Sequence, residues 1–278
     1  VSPTVSAFAA LTPTIAPATH TNSYALGDRD VLLVEPATPY EDEQKEWLAW
    51  ARSLASQGRT AAAIVLTHHH PDHVGGVDVL ARELGLPVWA HRETRARLDD
   101  PRRVDRALED GELLALDGPI PTAWRVLHTP GHAPGHVCLH EPRTGAVVVG
   151  DMVASVGTIL IAPGDGDMKV YLEQLARLER LGARVALPAH GDPIDDPSRL
   201  FRHYILHRLA REAKVLASVG AAGDGGAADD ELVPVAYSDT PPLLWPIAAL
   251  SMRAHLDKLA QDGRVEHRDG RWRLAPAA

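Results

Sequence analysis

Four short apolar runs in this chain stop abruptly at polar, metal-capable side chains. Residues 61–66 (AAAIVL) run into Thr67 and a histidine-rich cluster at 68–73. Residues 124–127 lead to His128, Thr129, Pro130, Gly131 and His132, residues 146–149 to Gly150 and Asp151, and residues 184–187 to Pro188, Ala189 and His190. Continuous apolar runs of this length are the pattern of strands buried on both faces. The polar groups therefore fall just past strand ends, where open sheets carry their sites. Between the runs, apolar residues recur at helical spacing. One such stretch, 42–57, stops at Gly58, and a second, 77–84, stops at Gly85. A third, 168–181, follows the N-cap type Asp167 and stops before Gly182. Strands alternating with helices predict α/β layers. The opening residues 1–19 are apolar, uncharged and broken by Pro3, Pro13 and Pro17. They lack the basic start of a secretory signal and read as an edge strand or a loose arm.

The pattern changes near residue 196. Asp196-Pro197 opens a long helical stretch ending at Gly220, and a Gly/Ala/Asp linker follows over 221–230. A further helix is predicted near 247–261. Two strand-like segments, 264–268 and 271–274, then flank Asp269-Gly270, a strong hairpin signal. A helix followed by such a hairpin looks like a winged-helix module. The expected division is a main domain over 1–205 and a helical linker with a small winged-helix-like domain over 206–278.

Bulk properties narrow the function classes. A length of 278 residues fits one main domain with an appendage. A net charge of -9 offers no global attraction to nucleic acid or to an anionic membrane. The single cysteine, Cys138, excludes an internal disulfide framework and fits a reducing, cytoplasmic setting. No apolar run approaches the ~20 residues needed to span a bilayer, so no membrane partner is expected.

The chemistry concentrates in Thr67-His68-His69-His70-Pro71-Asp72-His73-Val74-Gly75-Gly76. On a tight loop after a strand, His68 and His70 can face one position while Asp72 and His73 face a second beside it. Imidazole nitrogen and carboxylate oxygen are good zinc ligands without any thiolate. His132, Asp151 and His190, each at another strand end, complete a candidate set. Three adjacent histidines alone are also compatible with a chance surface cluster; the five additional ligands Asp72, His73, His132, Asp151 and His190 in matching settings argue against chance.

This combination of His68-x-His70-x-Asp72-His73, TPGH, GD and a late AHG resembles the metallo-β-lactamase superfamily over roughly the first 200 residues. The resemblance implies a four-layer αββα sandwich and a dinuclear centre, zinc being the expected metal and iron or manganese compatible with the all-N/O set. It assigns His68, His70 and His132 to the first metal, Asp72, His73 and His190 to the second, and Asp151 to a bridge between them. It also implies hydrolysis by a metal-bridging hydroxide, with Asp72 orienting the nucleophilic water. His69 is expected to point away from the metals. His128, His136 and His140 are read as hydrogen-bonded strand residues, His91 as a surface histidine and Cys138 as a small buried hydrophobe. Gly75 and Gly76 are expected to let the backbone turn beneath the metals. One departure stands out: Glu35-Pro36 occupies the place where family members often carry an aspartate supporting the metal loop.

Asp151 also separates this chain from the zinc β-lactamases that carry a cysteine ligand there, and aligns it with glyoxalase II-like thioesterases and metallo-β-lactamase ribonucleases. The tail, with FRHYILHR at 201–208 and MRAHLDKL at 252–259, resembles the lactamase-beta-like protein 2 group. Three readings follow. The first is a hydrolase of small ester, thioester or related acyl substrates. The second is a single-strand-selective endoribonuclease of that group, acting on single-stranded RNA along a basic track. The third is a nucleic-acid-binding regulator using the wing. His207 and Arg208 are candidates to bind an anionic substrate group, against the alternative of a salt-bridged helix face.

Overall fold

The four apolar runs form four strands, and their side chains alternate between two hydrophobic layers. The computed structural model describes residues 3–276. Its first sheet orders β1 (Val5–Leu11), β2 (His20–Leu26), β3 (Asp30–Val34), β4 (Thr60–Val65), β5 (Val88–His91) and β6 (Arg106–Leu108) side by side. Pairing is antiparallel from β1 to β3 and parallel from β3 to β6. The second sheet runs β11 (Val185–Pro188), β10 (Ala146–Gly150), β9 (Val137–Glu141), β8 (Thr122–His128) and β7 (Leu113–Leu116). Only β10 and β11 are parallel within it.

Strand periodicity explains the layering. Leu32, Val34, Ala63 and Val65 meet Trp124, Val126, Leu139 and Val148 between the sheets. The intervening Val31, Leu33, Ile64 and Leu66 turn outward onto α1 (Glu41–Ser56) and α3 (Val77–Leu84) through Trp47, Leu54 and Leu80. On the opposite side Leu127, Val147 and Val149 meet Tyr171, Leu175 and Leu178 of α5 (Met168–Arg180) and Phe201 of α6 (Pro197–Ala221). The result is the expected αββα sandwich. Short helices α2 (Pro71–Val74) and α4 (Arg92–Arg95) cross the strand ends. Residues 5–11 form the ordered edge strand anticipated for the N-terminal stretch. Asp167 caps α5 by accepting from Val170 N at 3.0 Å.

The 25-residue α6 does not break between the two units. Phe201 and Tyr204 belong to the sandwich, whereas Val215 and Val219 belong to a separate C-terminal core with Leu232, Met252, Leu256 and Trp272. The expected division at 205/206 thus falls inside a continuous helix. The predicted linker is largely structured: α6 runs to Ala221, a 3-10 turn spans Gly223–Gly225, and α7 (Asp229–Ala236) follows. Sequence reading missed α7 because it is short, follows a glycine-rich segment and contains Pro234. α8 (Trp245–Gln261) precedes the hairpin of β12 (Val265–Arg268) and β13 (Arg271–Leu274). Asp269 at φ 52° and Gly270 at φ 73° supply the two left-handed positions that a tight two-residue hairpin turn demands. No described helix is long and apolar enough to cross a membrane.

Candidate metal centre

All seven predicted ligands converge at the ends of four strands. β4 delivers His68, His70, Asp72 and His73 through the loop and α2, while His132 follows β8, Asp151 follows β10 and His190 follows β11. The inward nitrogens of His68, His70 and His132 form a triangle: His68 Nε2 to His70 Nδ1 is 3.0 Å, His132 Nε2 to His70 Nδ1 is 2.9 Å, and His132 Nε2 to His68 Nε2 is 3.2 Å. Nitrogens sharing a tetrahedral zinc at ordinary bond lengths lie roughly 3.3 Å apart, close to these values. Asp72, His73 and His190 make a second group whose ligand atoms lie within 4.8 Å of one another. Asp151 stands between the groups. Its Oδ2 is 3.5 Å from His132 Nε2, and its Oδ1 is 3.4 Å from His190 Nε2 and 3.6 Å from His73 Nε2.

The outer ring nitrogens show why these side chains fit cations. His70 Nε2 meets Asp165 Oδ2 at 2.7 Å, His73 Nδ1 meets Glu35 Oε2 at 3.1 Å, His132 Nδ1 meets the Leu160 carbonyl at 3.0 Å, and His190 Nδ1 meets the His20 carbonyl at 2.9 Å. Each partner only accepts, so each outer nitrogen carries a hydrogen, which leaves the inner nitrogen as the one to offer its lone pair to a cation. Lone pairs crowded at about 3 Å repel unless a cation lies among them. In the second group His73 Nε2 and Asp151 Oδ1 are buried without hydrogen-bond partners, an arrangement that is costly for polar atoms and ordinary for ligands.

The electrostatics are consistent with that fit. Burial and the neighbouring imidazoles push His68 well below the ordinary histidine range, and burial is the main cause that lowers His132 to about 4. Both are therefore neutral, as ligation requires. Burial opposes charge on His73, yet the carboxylates of Asp151, Glu35 and Asp72 together raise it well above its usual value. Burial likewise opposes ionisation of Asp151, but His73 and His190 hold its carboxyl well below the usual range. The second position attracts positive charge.

Several supporting residues differ from expectation. Glu35, which stands in place of the family aspartate, is buried with φ at 62°, accepts from Thr67 N at 2.9 Å through one oxygen and meets His73 Nδ1 through the other. Its left-handed backbone accommodates the longer side chain. Gly75 and Gly76 have ordinary negative φ, so they do not provide an unusual turn. A Cβ at Gly76 would lie 2.7 Å from Thr38 O and 2.9 Å from Pro36 O; close backbone approach is the reason for glycine. His69 stays outside the two ligand groups, as expected, with its Nε2 3.3 Å from Asp165 Oδ2. His136 is buried, with Nδ1 2.8 Å from Thr129 Oγ1, and its Nε2 accepts from Asp151 N at 3.1 Å, fixing the backbone of the bridging candidate. His91 is buried and stacks on His128 at 3.9 Å, contrary to its surface assignment. Cys138 is buried, as expected. Sequence reasoning missed Asp165, a loop residue with no local signature. Neither His207 nor Arg208 lines the cleft over the ligands; both line an adjoining cavity behind residues 158–160.

An αββα sandwich that gathers histidines and carboxylates at its strand ends defines a metal-binding hydrolase scaffold. The chain belongs to the metallo-beta-lactamase superfamily, whose model matches residues 16–190, and residues 229–272 match the beta-lactamase associated winged helix domain. It is a hydrolase of that superfamily. Among curated relatives, the beta-lactamase-like protein 2 homolog of Drosophila melanogaster is 29% identical, covering 88% of this chain and 84% of the relative. A protein of Pseudocercospora fijiensis named atrochrysone carboxyl ACP thioesterase is 27% identical, covering 88% and 71%. A solved metallo-beta-lactamase family protein from Thermus thermophilus superposes with a TM-score of 0.79 at 27% identity, covering 98% and 99%. A further solved structure, of a protein in a di-iron-bound form, is 30% identical with a TM-score of 0.51, covering 68% of this chain and 96% of that one.

Proposed function

We propose that this chain is a dinuclear metal-dependent hydrolase of small ester, thioester or related acyl substrates. The observation that carries the reading is the cleft over the ligands. It measures about 290 Å³, and apolar side chains including Pro13, Ile15, Val156, Ile159 and Leu160 wall it, with no lysine or arginine in its lining. A pocket of this size and character suits a compact acyl group better than a polyanion. The relative named as a thioesterase adds support.

His68, His70 and His132 would hold one divalent cation and Asp72, His73 and His190 the other, with Asp151 shared. Zinc suits this donor set, and the di-iron neighbour supports iron as an alternative. Bound there, the cations would lower the pKa of a shared water and polarise an acyl carbonyl oxygen. The protein's own part is positioning. Asp72 lines the cleft and offers a carboxylate that orients the attacking water and accepts its proton, while the Ile159 and Leu160 wall excludes bulk solvent. Water then cleaves the acyl–oxygen or acyl–sulfur bond, giving a carboxylic acid and an alcohol or thiol.

The endoribonuclease reading requires free cations running from the cleft across the wing. Here Arg271 engages Glu231, Arg268 engages Glu266, and Arg253 engages Asp229 and Asp257. Such pairing leaves few net positive contacts for a phosphate backbone. The test is hydrolysis of S-lactoylglutathione and simple thioesters by metal-replete protein. Turnover is expected, with a loss on the order of 10²–10⁴-fold in Asp72→Ala. Absence of acyl hydrolysis together with salt-dependent binding and cleavage of single-stranded RNA would overturn the acyl reading.

A further inference from the structure

A second cavity, of about 300 Å³, lies beside the metal cleft. The two share Ile15, Thr158, Ile159 and Leu160, so the second cavity adjoins the cleft along these residues. α6 contributes Arg208 and Arg211 to the second cavity, and Leu244, Ile247 and Ser251 stand on the C-terminal module. No aspartate or glutamate lines it.

Arg208 is the unusual group. It is only 4% exposed, its Nη2 donates to the Ile159 carbonyl, and its Nη1 lies 3.4 Å from Ser251 Oγ. Its Nε is buried without an acceptor, and no carboxylate lies within ion-pair distance of it among the described residues. Its guanidinium also lies over the Tyr171 ring at 5.7 Å; Arg211, three residues on, differs in having a carboxylate partner, Asp239 at 2.8 Å. A guanidinium cannot shed its proton, so burial without a counter-charge is unfavourable. Neutral bracing by the Ile159 carbonyl and the Ser251 hydroxyl accounts for the two terminal nitrogens of Arg208. It does not account for a buried cation facing a cavity free of acid.

We infer that this cavity seats a carboxylate at the remote end of the acyl substrate, with Arg208 as its counter-charge and Ile15, Leu244 and Ile247 covering the intervening alkyl segment. The inference rests on the acyl-hydrolase reading for the identity of the substrate, but the anion seat can be tested without turnover. The probes are hexanesulfonate, a fixed anion that is a poor metal ligand, and hexanol, its neutral counterpart. Both are titrated calorimetrically into the metal-loaded full chain. Hexanesulfonate is expected to bind at least about tenfold more tightly, as a charge-assisted contact implies, and raised salt should weaken it. The preference should persist in Asp72→Ala. It should vanish in Ser251→Asp, which gives Arg208 an internal carboxylate, and in Arg208→Gln should Ser251→Asp not fold. Equal binding of the two probes, or a preference that survives both cavity variants, overturns the seat. In turnover, an ω-carboxy alkyl thioester should exceed its neutral analogue in kcat/KM by about tenfold, a ratio that collapses in Ser251→Asp. Binding preference without any acyl hydrolysis would sink the substrate reading and leave the anion seat standing. Hydrolysis of both thioesters at equal kcat/KM would do the reverse.

Discussion

Glu35→Gln isolates the support of the second cation position with almost no change in volume. Glu35 is 1% exposed and its two oxygens are divided between Thr67 N at 2.9 Å and His73 Nδ1 at 3.1 Å. Glutamine has one accepting oxygen. Oriented to keep Thr67, it turns its amide N–H toward His73 Nδ1 and forces the ring into the tautomer whose Nε2 carries hydrogen. That nitrogen is the one 3.6 Å from Asp151 and 3.8 Å from Asp72, so the lone pair needed for ligation is lost. Oriented the other way, the amide N–H would face the Thr67 N–H, a clash of two donors that disfavours this arrangement. Either orientation sacrifices one charge-assisted hydrogen bond, about 1.5–3 kcal/mol. At about 1.4 kcal/mol per tenfold, that weakens one metal site by roughly 10–150-fold. The assay is metal content after dialysis, with chelator competition resolving two affinities and circular dichroism confirming the fold. The expected outcome is one retained and one weakened ion per chain. Two sites of unchanged affinity would refute the tautomer argument, as would equal weakening of both in a folded protein.

Other substitutions probe different links. Asp165→Ala removes the acceptor of His70 Nε2 and the contacts to His69 and Arg97, so chelator competition should show the first site weakened about 10–100-fold; unchanged affinity would mean that Asp165 only tethers its loop. Gly76→Ala puts a methyl against two carbonyls without any φ penalty and should cost about 1–3 kcal/mol, read as a lowered Tm, whereas an unaltered melting curve would show that the 36–38 segment yields freely. His91 carries a pH signature. Burial, His128 and Arg92 lower its pKa to about 4, so the unfolded chain binds the extra proton first. Stability should then fall as pH drops from about 6.5 toward 4, by on the order of 1 kcal/mol after allowance for solvent screening. His91→Gln should flatten that part of the profile in urea titrations, and an unchanged slope would exclude His91 as its source.

Much of this organisation was legible because buried strands and metal ligands both leave local marks. The runs at 61–66 and 146–149 lie in central strands whose two faces meet different apolar layers, which erases the usual alternation and makes them visible. The ligands follow those runs directly, so one reading found both. Glu35 was recognisable by position, but its pairing with His73 depends on a left-handed backbone that sequence does not announce. Asp165 and His136 act through contacts formed only when separated segments meet. His91 looked like a surface residue because nothing nearby in sequence foretells its stacking partner, the distant His128, at 3.9 Å. α7 was hidden by the signals that normally end helices, glycine before it and proline within it.

The uninterrupted α6 makes the C-terminal unit something other than a bead on a string. Tyr204 holds the Ala154 backbone on one side, Val219 is embedded in the far core, and Arg208 between them grips the carbonyl of Ile159 on the rim of the cleft. Severing the chain near 205 would expose apolar surface on both fragments and release that rim.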